Sequence, residues 1–144
     1  MATKQEKLDL LGGVPLFAGL GKRDLQRVLN SAKPTEHLAG EVILTEGQSG
    51  VGFHLIVRGA VKVVTNGRTV ARLGPGEFFG EMALVDDSPR MATVVAESDL
   101  STMVISKWDV RARVNDQAEL AWKLIEHRVF RIREEQSGRS ALLS

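Results

Sequence analysis

Between His37 and Ile105 the sequence alternates short apolar runs with glycine-containing breaks. Each run has only three to six residues, too few for a typical buried helix but enough for a strand. Many short strands at near-regular spacing predict a small β-barrel or a jelly roll. The runs are Val42–Leu44, Phe53–Val57, Val61–Val64, Thr69–Leu73, Thr93–Ala96 and Leu100–Ile105.

Two of these runs, Val61–Val64 and Thr69–Leu73, are separated by Asn66-Gly67. Both turn residues tolerate a positive φ, which a type I′ turn requires at its two central positions. This segment therefore predicts a tight β-hairpin.

Helical patterns flank the strand region on both sides. An apolar opening segment breaks at Gly12-Gly13, and a second amphipathic segment runs from Lys22 to Ala32 after Gly21. From Lys107 the helical spacing returns, with Ser106 as a candidate N-cap and an end near Ser137.

Composition limits the classes of partner. The 144 residues suit a single domain, and 19 basic against 18 acidic residues give a net charge of +1. No strong field therefore directs the chain to nucleic acid or to an anionic membrane. No cysteine is present, which excludes disulfides, thiol catalysis and thiolate zinc sites. Without a signal peptide or an apolar span, we expect a cytoplasmic protein.

Residues 76–96 depart from the strand-and-turn pattern and carry the candidate chemistry. Gly80 permits a sharp turn, and Glu81–Leu84 can form a short helix whose first amides suit an anion. Arg90, at the end of the following loop, would bring a guanidinium next to these amides. A guanidinium beside unpaired amides suits a phosphate. The Glu81 carboxylate would repel a phosphate, so it needs a different partner. A hydroxyl group of a sugar that is attached to the phosphate would be such a partner.

This segment resembles the phosphate-binding cassette of the cyclic nucleotide-binding domain, found in bacterial catabolite activators, protein kinase A regulatory subunits and cyclic-nucleotide-gated channels. The matching residues are Phe79–Leu84 and Pro89–Val94, with a ten-residue step from glycine to arginine. The resemblance extends over residues 10–136. It includes Pro15–Leu20, Gly40–Gly47, Phe53–Gly59 and Gly74–Phe78.

The resemblance implies a mainly β fold, an eight-stranded jelly-roll barrel with N-terminal helices and C-terminal B and C helices. Residues 1–144 would form one domain, with a helical N-terminus at 5–33, the barrel at 34–106 and the C-terminal helices at 107–137. The cassette would span 79–94. It also implies a sensor in which ligand capture moves the C-terminal helices, and not an enzyme.

The resemblance also implies a role for each site residue. Arg90 and the backbone amides of Ala83 and Met91 would bind the cyclic phosphate, and Glu81 would accept from the ribose 2′-hydroxyl near the Gly80 carbonyl. The base pocket would be formed by Val63, Val70 and Ala71. Candidates for a lid over the base are Arg131, Arg133, Glu135 and Gln136.

Two positions depart from the family pattern. Relatives that favour cGMP often carry Thr or Ser after the arginine, but here Met91 offers no side-chain hydrogen bond, which favours cAMP over cGMP. His54 stands where family members usually have Tyr, and we interpret it as a packing variant.

Other readings remain open beside the nucleotide sensor. The chain could be an interaction module that keeps the barrel but no longer responds to a cyclic nucleotide. A small barrel enzyme ranks last, because no nucleophile–base pair is evident. His37, His54 and His127 are isolated in sequence, so we predict no metal and no cofactor. Arg90 alone would be read as a surface residue paired with Asp86 or Asp87.

The partner predictions follow from the same resemblance. Catabolite activators continue into a helix-turn-helix after the C helix, and this sequence leaves no room for one, so we expect no direct DNA binding. We expect no membrane association. A partner protein, or a second copy in a homodimer, would use the apolar stripe of the last helix.

Overall fold

The computed structural model describes residues 2–14, 17, 19–49, 52–80, 89–106 and 108–109. Two helices open this part of the chain, α1 at Lys4–Gly12 and α2 at Lys22–Ser31. Thr3 caps α1 by accepting a hydrogen bond from the Glu6 amide at 3.1 Å. The end of α1 beside Gly13 and the start of α2 after Gly21 agree with the sequence prediction.

Eight strands follow and form two antiparallel sheets of four. One sheet, called sheet A, has the order β1-β8-β3-β6, and the other, sheet B, has the order β2-β7-β4-β5. This is the strand order of an eight-stranded jelly roll. The strands are β1 Lys33–His37, β2 Val42–Leu44, β3 Gly52–Arg58, β4 Val61–Thr65, β5 Arg68–Leu73, β6 Phe78–Phe79, β7 Thr93–Ala96 and β8 Leu100–Ser106.

Sheet A separates two hydrophobic cores, because alternate side chains of a strand point to opposite faces. The outer core lies between sheet A and the helices, and the inner core lies between the two sheets. Strand β3 contributes to both: Phe53, Leu55 and Val57 pack in the outer core, whereas Ile56 packs in the inner one. From α1 and α2 the outer core receives Leu8, Leu11, Val28 and Leu29.

The predicted hairpin is present between β4 and β5. Asn66 and Gly67 have φ values of 53° and 77°, as a type I′ turn requires. Strand β5 also contains a bulge, since Val63 pairs with Ala71 but Val64 pairs with Thr69. The bulge leaves one extra residue on β5, which the sequence pattern does not reveal.

The chain leaves sheet A through Ser106, at the end of β8. Its hydroxyl accepts from the Asp109 amide at 3.2 Å and lies 2.9 Å from a carboxylate oxygen of the same residue. The predicted N-cap is therefore confirmed, but the predicted helices at 107–137 lie outside the described residues apart from 108–109.

None of the helices in the described ranges is long and apolar enough to cross a membrane.

Candidate anion-binding site

Arg90 is a buried cation at the edge of sheet A, with only 5% of its surface exposed. Its guanidinium donates two hydrogen bonds to backbone carbonyls. Nη2 donates to the Gly52 oxygen at 2.9 Å, and Nη1 donates to the Gly80 oxygen at 3.1 Å. Because Gly52 begins β3 and Gly80 follows β6, the side chain links the ends of two paired strands.

The backbone of Arg90 is held as firmly as its side chain. Its amide donates to the Gln48 oxygen at 2.9 Å, and its carbonyl accepts from the Gly47 amide at 2.9 Å. The Glu46 amide next to this turn donates to the Thr93 hydroxyl at 3.0 Å. The guanidinium is thus preorganised by hydrogen bonds of both the backbone and the side chain of Arg90. Preorganisation favours binding, because less conformational entropy is lost when a ligand binds.

The charge of Arg90 is not balanced by a carboxylate in the part of the chain that the structure describes. Its Nε is shielded from solvent and has no hydrogen-bond partner there. Burial lowers the pKa of Arg90, but a guanidinium remains charged at neutral pH. A buried cation normally has a counter-charge, so this arrangement suits an external anion.

Gly80 must be glycine for two reasons. Its φ of +81° lies in the left-handed region, which strains other L-residues. A Cβ at this position would also lie 2.8 Å from the Gly52 oxygen and 2.9 Å from Nη1 of Arg90. The glycine therefore allows the close approach of the β6 end to the guanidinium.

His54 belongs to the same region, although its sequence context suggested only a packing role. It lies between Phe53 and Leu55, which face the outer core, so its ring faces the inner side of sheet A. The ring stacks on Phe79 with centroids 4.7 Å apart and planes within 7°. Phe79 directly precedes Gly80, whose carbonyl holds Arg90.

Burial lowers the pKa of His54 from 6.5 to about 3, and the charges of Arg90 and then of His37 add to the effect. The imidazole is therefore neutral at neutral pH. Below about pH 6.5 the unfolded chain takes up a proton that the folded chain does not. We therefore expect the free energy of unfolding to fall by up to about 1.4 kcal/mol per pH unit as the pH falls towards 3.

This acid sensitivity is testable by urea denaturation at pH 7.5, 6.0 and 5.0. The variant His54→Phe keeps a ring on Phe79 but cannot be protonated, so its stability should decline less steeply than that of the wild type. Parallel declines in both proteins would contradict the prediction.

The predicted base-pocket residues do not all share one environment. Val63 is fully buried in the inner core, and its cross-strand partner Ala71 packs against that core. Val70 is the residue that the β5 bulge leaves unpaired, and 42% of its surface is exposed. The structure thus brings Val63 and Ala71 together on one inward face and places Val70 apart from them.

Of the predicted phosphate ligands, Arg90 and Met91 are described. The Met91 side chain is 50% exposed, and no hydrogen bond among the described residues uses its amide. Outside the described residues lie Glu81, Ala83, Arg131, Arg133, Glu135 and Gln136. No three His, Asp or Glu side chains within the described ranges cluster as metal ligands would.

Three residues contribute to the site in a way that the sequence does not predict. Gly52 acts through its carbonyl and Gly47-Gln48 through backbone atoms, and backbone groups leave little trace in side-chain identity. The available signal was the density of glycine around residues 47–52. His54 departs from the family pattern, but the direction of its ring only becomes clear from the alternation of side chains along β3.

Comparison with known proteins agrees with this fold. The model of the family described as the cyclic nucleotide-binding domain matches residues 34–117, more than half of the chain. A cyclic nucleotide-gated potassium channel of Rhizobium etli is 38% identical over 112 residues, which are 78% of this chain and 31% of the channel. The chain thus spans less than a third of that relative.

Two solved structures share the fold. The catabolite activator protein of Thermus thermophilus has a TM-score of 0.74 and 31% identity, covering 86% of this chain and 61% of that one. The regulatory domain of Toxoplasma gondii PKA, crystallised with cAMP, has a TM-score of 0.71 and 25% identity, covering 78% and 46%. The chain belongs to the cyclic nucleotide-binding domain family and is related to the catabolite activators and the protein kinase A regulatory subunits.

Proposed function

We propose that this domain binds a cyclic nucleotide, with cAMP preferred over cGMP, and that Arg90 takes the cyclic phosphate. The observation that carries the proposal is a buried guanidinium with no carboxylate partner among the described residues, fixed by the carbonyls of Gly52 and Gly80. The family assignment supports the same ligand class. The binding of cAMP by the related Toxoplasma domain supports cAMP in particular.

The phosphate would use donors that the fold leaves unoccupied. The Arg90 guanidinium has five N–H groups, of which two serve the carbonyls, and its Nε is without a partner. The amide of Met91 lies next in the chain, and the amide of Ala83 is assigned to the phosphate by family resemblance. Charge-assisted bonds of this kind are among the strongest in proteins, so one arginine suffices for a monoanion.

The ribose and the base would contact other residues than the phosphate does. Glu81 would accept from the ribose 2′-hydroxyl near the Gly80 carbonyl. The base would pack near Val63 and Ala71, whose apolar surfaces face the space between the sheets. The residues assigned to a lid would come from the C-terminal helices.

Such binding would change the conformation of the protein and would leave the nucleotide chemically unaltered. Capture of the phosphate would reposition the helices that follow Ser106, and a partner protein or a second copy would read the change. A ligand can shift this equilibrium only through different affinities for the two helix positions. We therefore propose a cytoplasmic sensor rather than an enzyme or a DNA-binding protein.

Calorimetric titration of the purified protein with cAMP, cGMP and a cyclic dinucleotide tests the proposal directly. We expect saturable binding of cAMP, weaker binding of cGMP and no binding of the dinucleotide. No heat with either cyclic mononucleotide would overturn the proposal and favour the interaction module that does not respond to nucleotide.

The preference for cAMP is expected to depend on position 91. The variant Met91→Thr adds a hydroxyl that can accept from the guanine amino group, so cGMP affinity should rise about fivefold, as one hydrogen bond of ~1 kcal/mol provides. Because half of the Met91 surface is exposed, the substitution should not disturb the core. Met91→Leu is the matched control, and the cAMP to cGMP affinity ratio should remain that of the wild type. An unchanged ratio in Met91→Thr would contradict the assignment.

A further inference from the structure

The turn that follows β2 is bonded directly to the backbone of Arg90. The Gln48 amide donates to the Thr45 carbonyl at 3.1 Å and closes the turn. Gly47, at the third position, has a φ of +83°, as a type II turn requires. The Gly47 amide donates to the Arg90 carbonyl, and the Gln48 carbonyl accepts from the Arg90 amide, both at 2.9 Å. The turn Thr45–Gln48 therefore fixes the backbone from which the guanidinium extends.

The hydroxyl of Thr93 holds this turn in place. It accepts a hydrogen bond from the Glu46 amide at 3.0 Å. Thr93 is the first residue of β7, and the next residue, Val94, pairs with Leu44 at the end of β2. The turn is thus attached to β7 immediately after the strands stop pairing. Among the hydrogen bonds that fix the turn and Arg90 to each other, this is the one that a side-chain substitution can remove.

The connection that contains the turn also holds the guanidinium. Nη2 of Arg90 donates to the carbonyl of Gly52 at 2.9 Å, and Gly52 is the first residue of β3. The backbone of Arg90 is therefore bonded near the end of β2, and its side chain is bonded at the start of β3. A displacement of the turn would move the Arg90 backbone relative to the Gly52 carbonyl. Charge-assisted hydrogen bonds to a phosphate depend on the direction of the guanidinium N–H groups, so such a displacement would weaken them.

We propose that Thr93 is a positioning residue for the phosphate site. Its hydroxyl fixes the turn Thr45–Gln48, and the turn keeps Arg90 in the orientation that binds a phosphate. The proposal rests on the proposed function and adds to it a residue that does not contact the nucleotide. The apparent affinity of a site falls in proportion to the fraction of molecules in the binding-competent arrangement. Loss of the hydroxyl lowers this fraction, because the exposed Glu46 amide can then bond to water as the turn moves away.

The variant Thr93→Val tests this role. Valine is close to threonine in shape and favours a strand, but it cannot accept a hydrogen bond. The fold should persist, as checked by circular dichroism. Calorimetry should show the affinities for cAMP and for cGMP lowered by the same factor, about three- to fivefold, because the phosphate is common to both ligands. Thr93→Ser keeps the hydroxyl and should bind both nucleotides as the wild type does.

The matched control is Ser98→Ala, which removes a contact of the same kind away from the site. The Ser98 hydroxyl accepts from the Ala60 amide at 3.0 Å, beyond the other end of β7. Ser98→Ala should lower the melting temperature and leave both affinities unchanged. An equal loss of affinity in Ser98→Ala and Thr93→Val would show a general effect of stability and would overturn the proposal.

NMR of the ligand-free proteins provides a readout that a purely structural role would not change. The resonance of the Arg90 Nε–H group reports the surroundings of the guanidinium. This resonance and that of the Gly47 amide should shift in Thr93→Val and return to the wild-type positions in Thr93→Ser. An Arg90 resonance that does not move in Thr93→Val would contradict the positioning role. Wild-type affinity in Thr93→Val would do so too, and so would a loss of affinity that persists in Thr93→Ser or differs between cAMP and cGMP.

Failure of this proposal is distinguishable from failure of the proposed function. If the wild type binds cAMP and Arg90→Ala does not, the nucleotide site stands, and an intact affinity in Thr93→Val rejects only the role of Thr93. If the wild type binds neither cAMP nor cGMP, both proposals are rejected together.

Discussion

The substitution Arg90→Ala should weaken cAMP binding about 30-fold or more while leaving the domain folded. Removal of one partner from a buried charge-assisted interaction costs about 2–5 kcal/mol, and each 1.4 kcal/mol is a factor of ten in affinity. Stability should change much less, because the loss of two hydrogen bonds to Gly52 and Gly80 is offset by removing a buried charge. Calorimetry and a thermal unfolding scan measure the two effects separately.

Two further variants sharpen this experiment. Arg90→Lys keeps the positive charge but cannot reach both carbonyls with a planar fork, so it should retain only part of the affinity. Arg72→Ala is a matched control, because Arg72 is a surface arginine that contacts the Glu97 carboxylate at 3.0 Å. We expect wild-type affinity for Arg72→Ala. An Arg90→Ala protein that binds cAMP as the wild type does would remove the basis of the proposed function.

The substitution Gly80→Ala should lower both stability and affinity. A left-handed backbone costs an alanine about 1–2 kcal/mol. The added Cβ would in addition press on the Gly52 oxygen at 2.8 Å and on Nη1 of Arg90 at 2.9 Å. We expect a total loss of about 2–4 kcal/mol, which lowers the melting temperature by roughly 5–15 °C for a domain of this size. Because the displaced group is the guanidinium, cAMP binding should weaken as well.

Two other glycines serve as graded controls for Gly80→Ala. Gly67 also has a positive φ, +77°, but a Cβ there would meet nothing within 4 Å. Gly67→Ala should therefore show only the backbone penalty and normal nucleotide affinity. Gly74 has neither feature, so Gly74→Ala should be close to neutral. If Gly80→Ala and Gly67→Ala lost the same stability and both kept full affinity for cAMP, the close contacts of Gly80 would contribute neither to stability nor to binding.

How much of the fold follows from the sequence depends on whether a strand carries apolar residues. The runs at Val42–Leu44 and Thr93–Ala96 match β2 and β7, because these strands contain apolar residues between clear breaks. Strand β1, Lys33–His37, has no apolar run, since it is an edge strand whose side chains are exposed or only partly buried. Strand β6 has only two residues, too few for any periodicity to be recognised.

The candidate site was predictable where it depends on side chains and not where it depends on backbone. Arg90 and Gly80 stand out through their types and their ten-residue spacing. The Gly52 carbonyl does not, because every residue has a carbonyl and only the fold selects this one. Val70 is exposed because of a bulge in β5, and no residue type on this strand indicates that bulge. His54 stacks on Phe79, in agreement with a packing role, but its residue type does not reveal which face of β3 it occupies.

The position of β8 has a consequence for the order in which the domain can form during synthesis. The last strand of the jelly roll lies in the middle of sheet A, where it pairs with both β1 and β3. Neither pairing can begin until residues 100–106 have left the ribosome, and such distant contacts form slowly. The β4–β5 hairpin needs only a local turn and can form earlier. Because Gly52 pairs with Ser106, the carbonyl that anchors Arg90 takes its place in the sheet only when the final strand arrives.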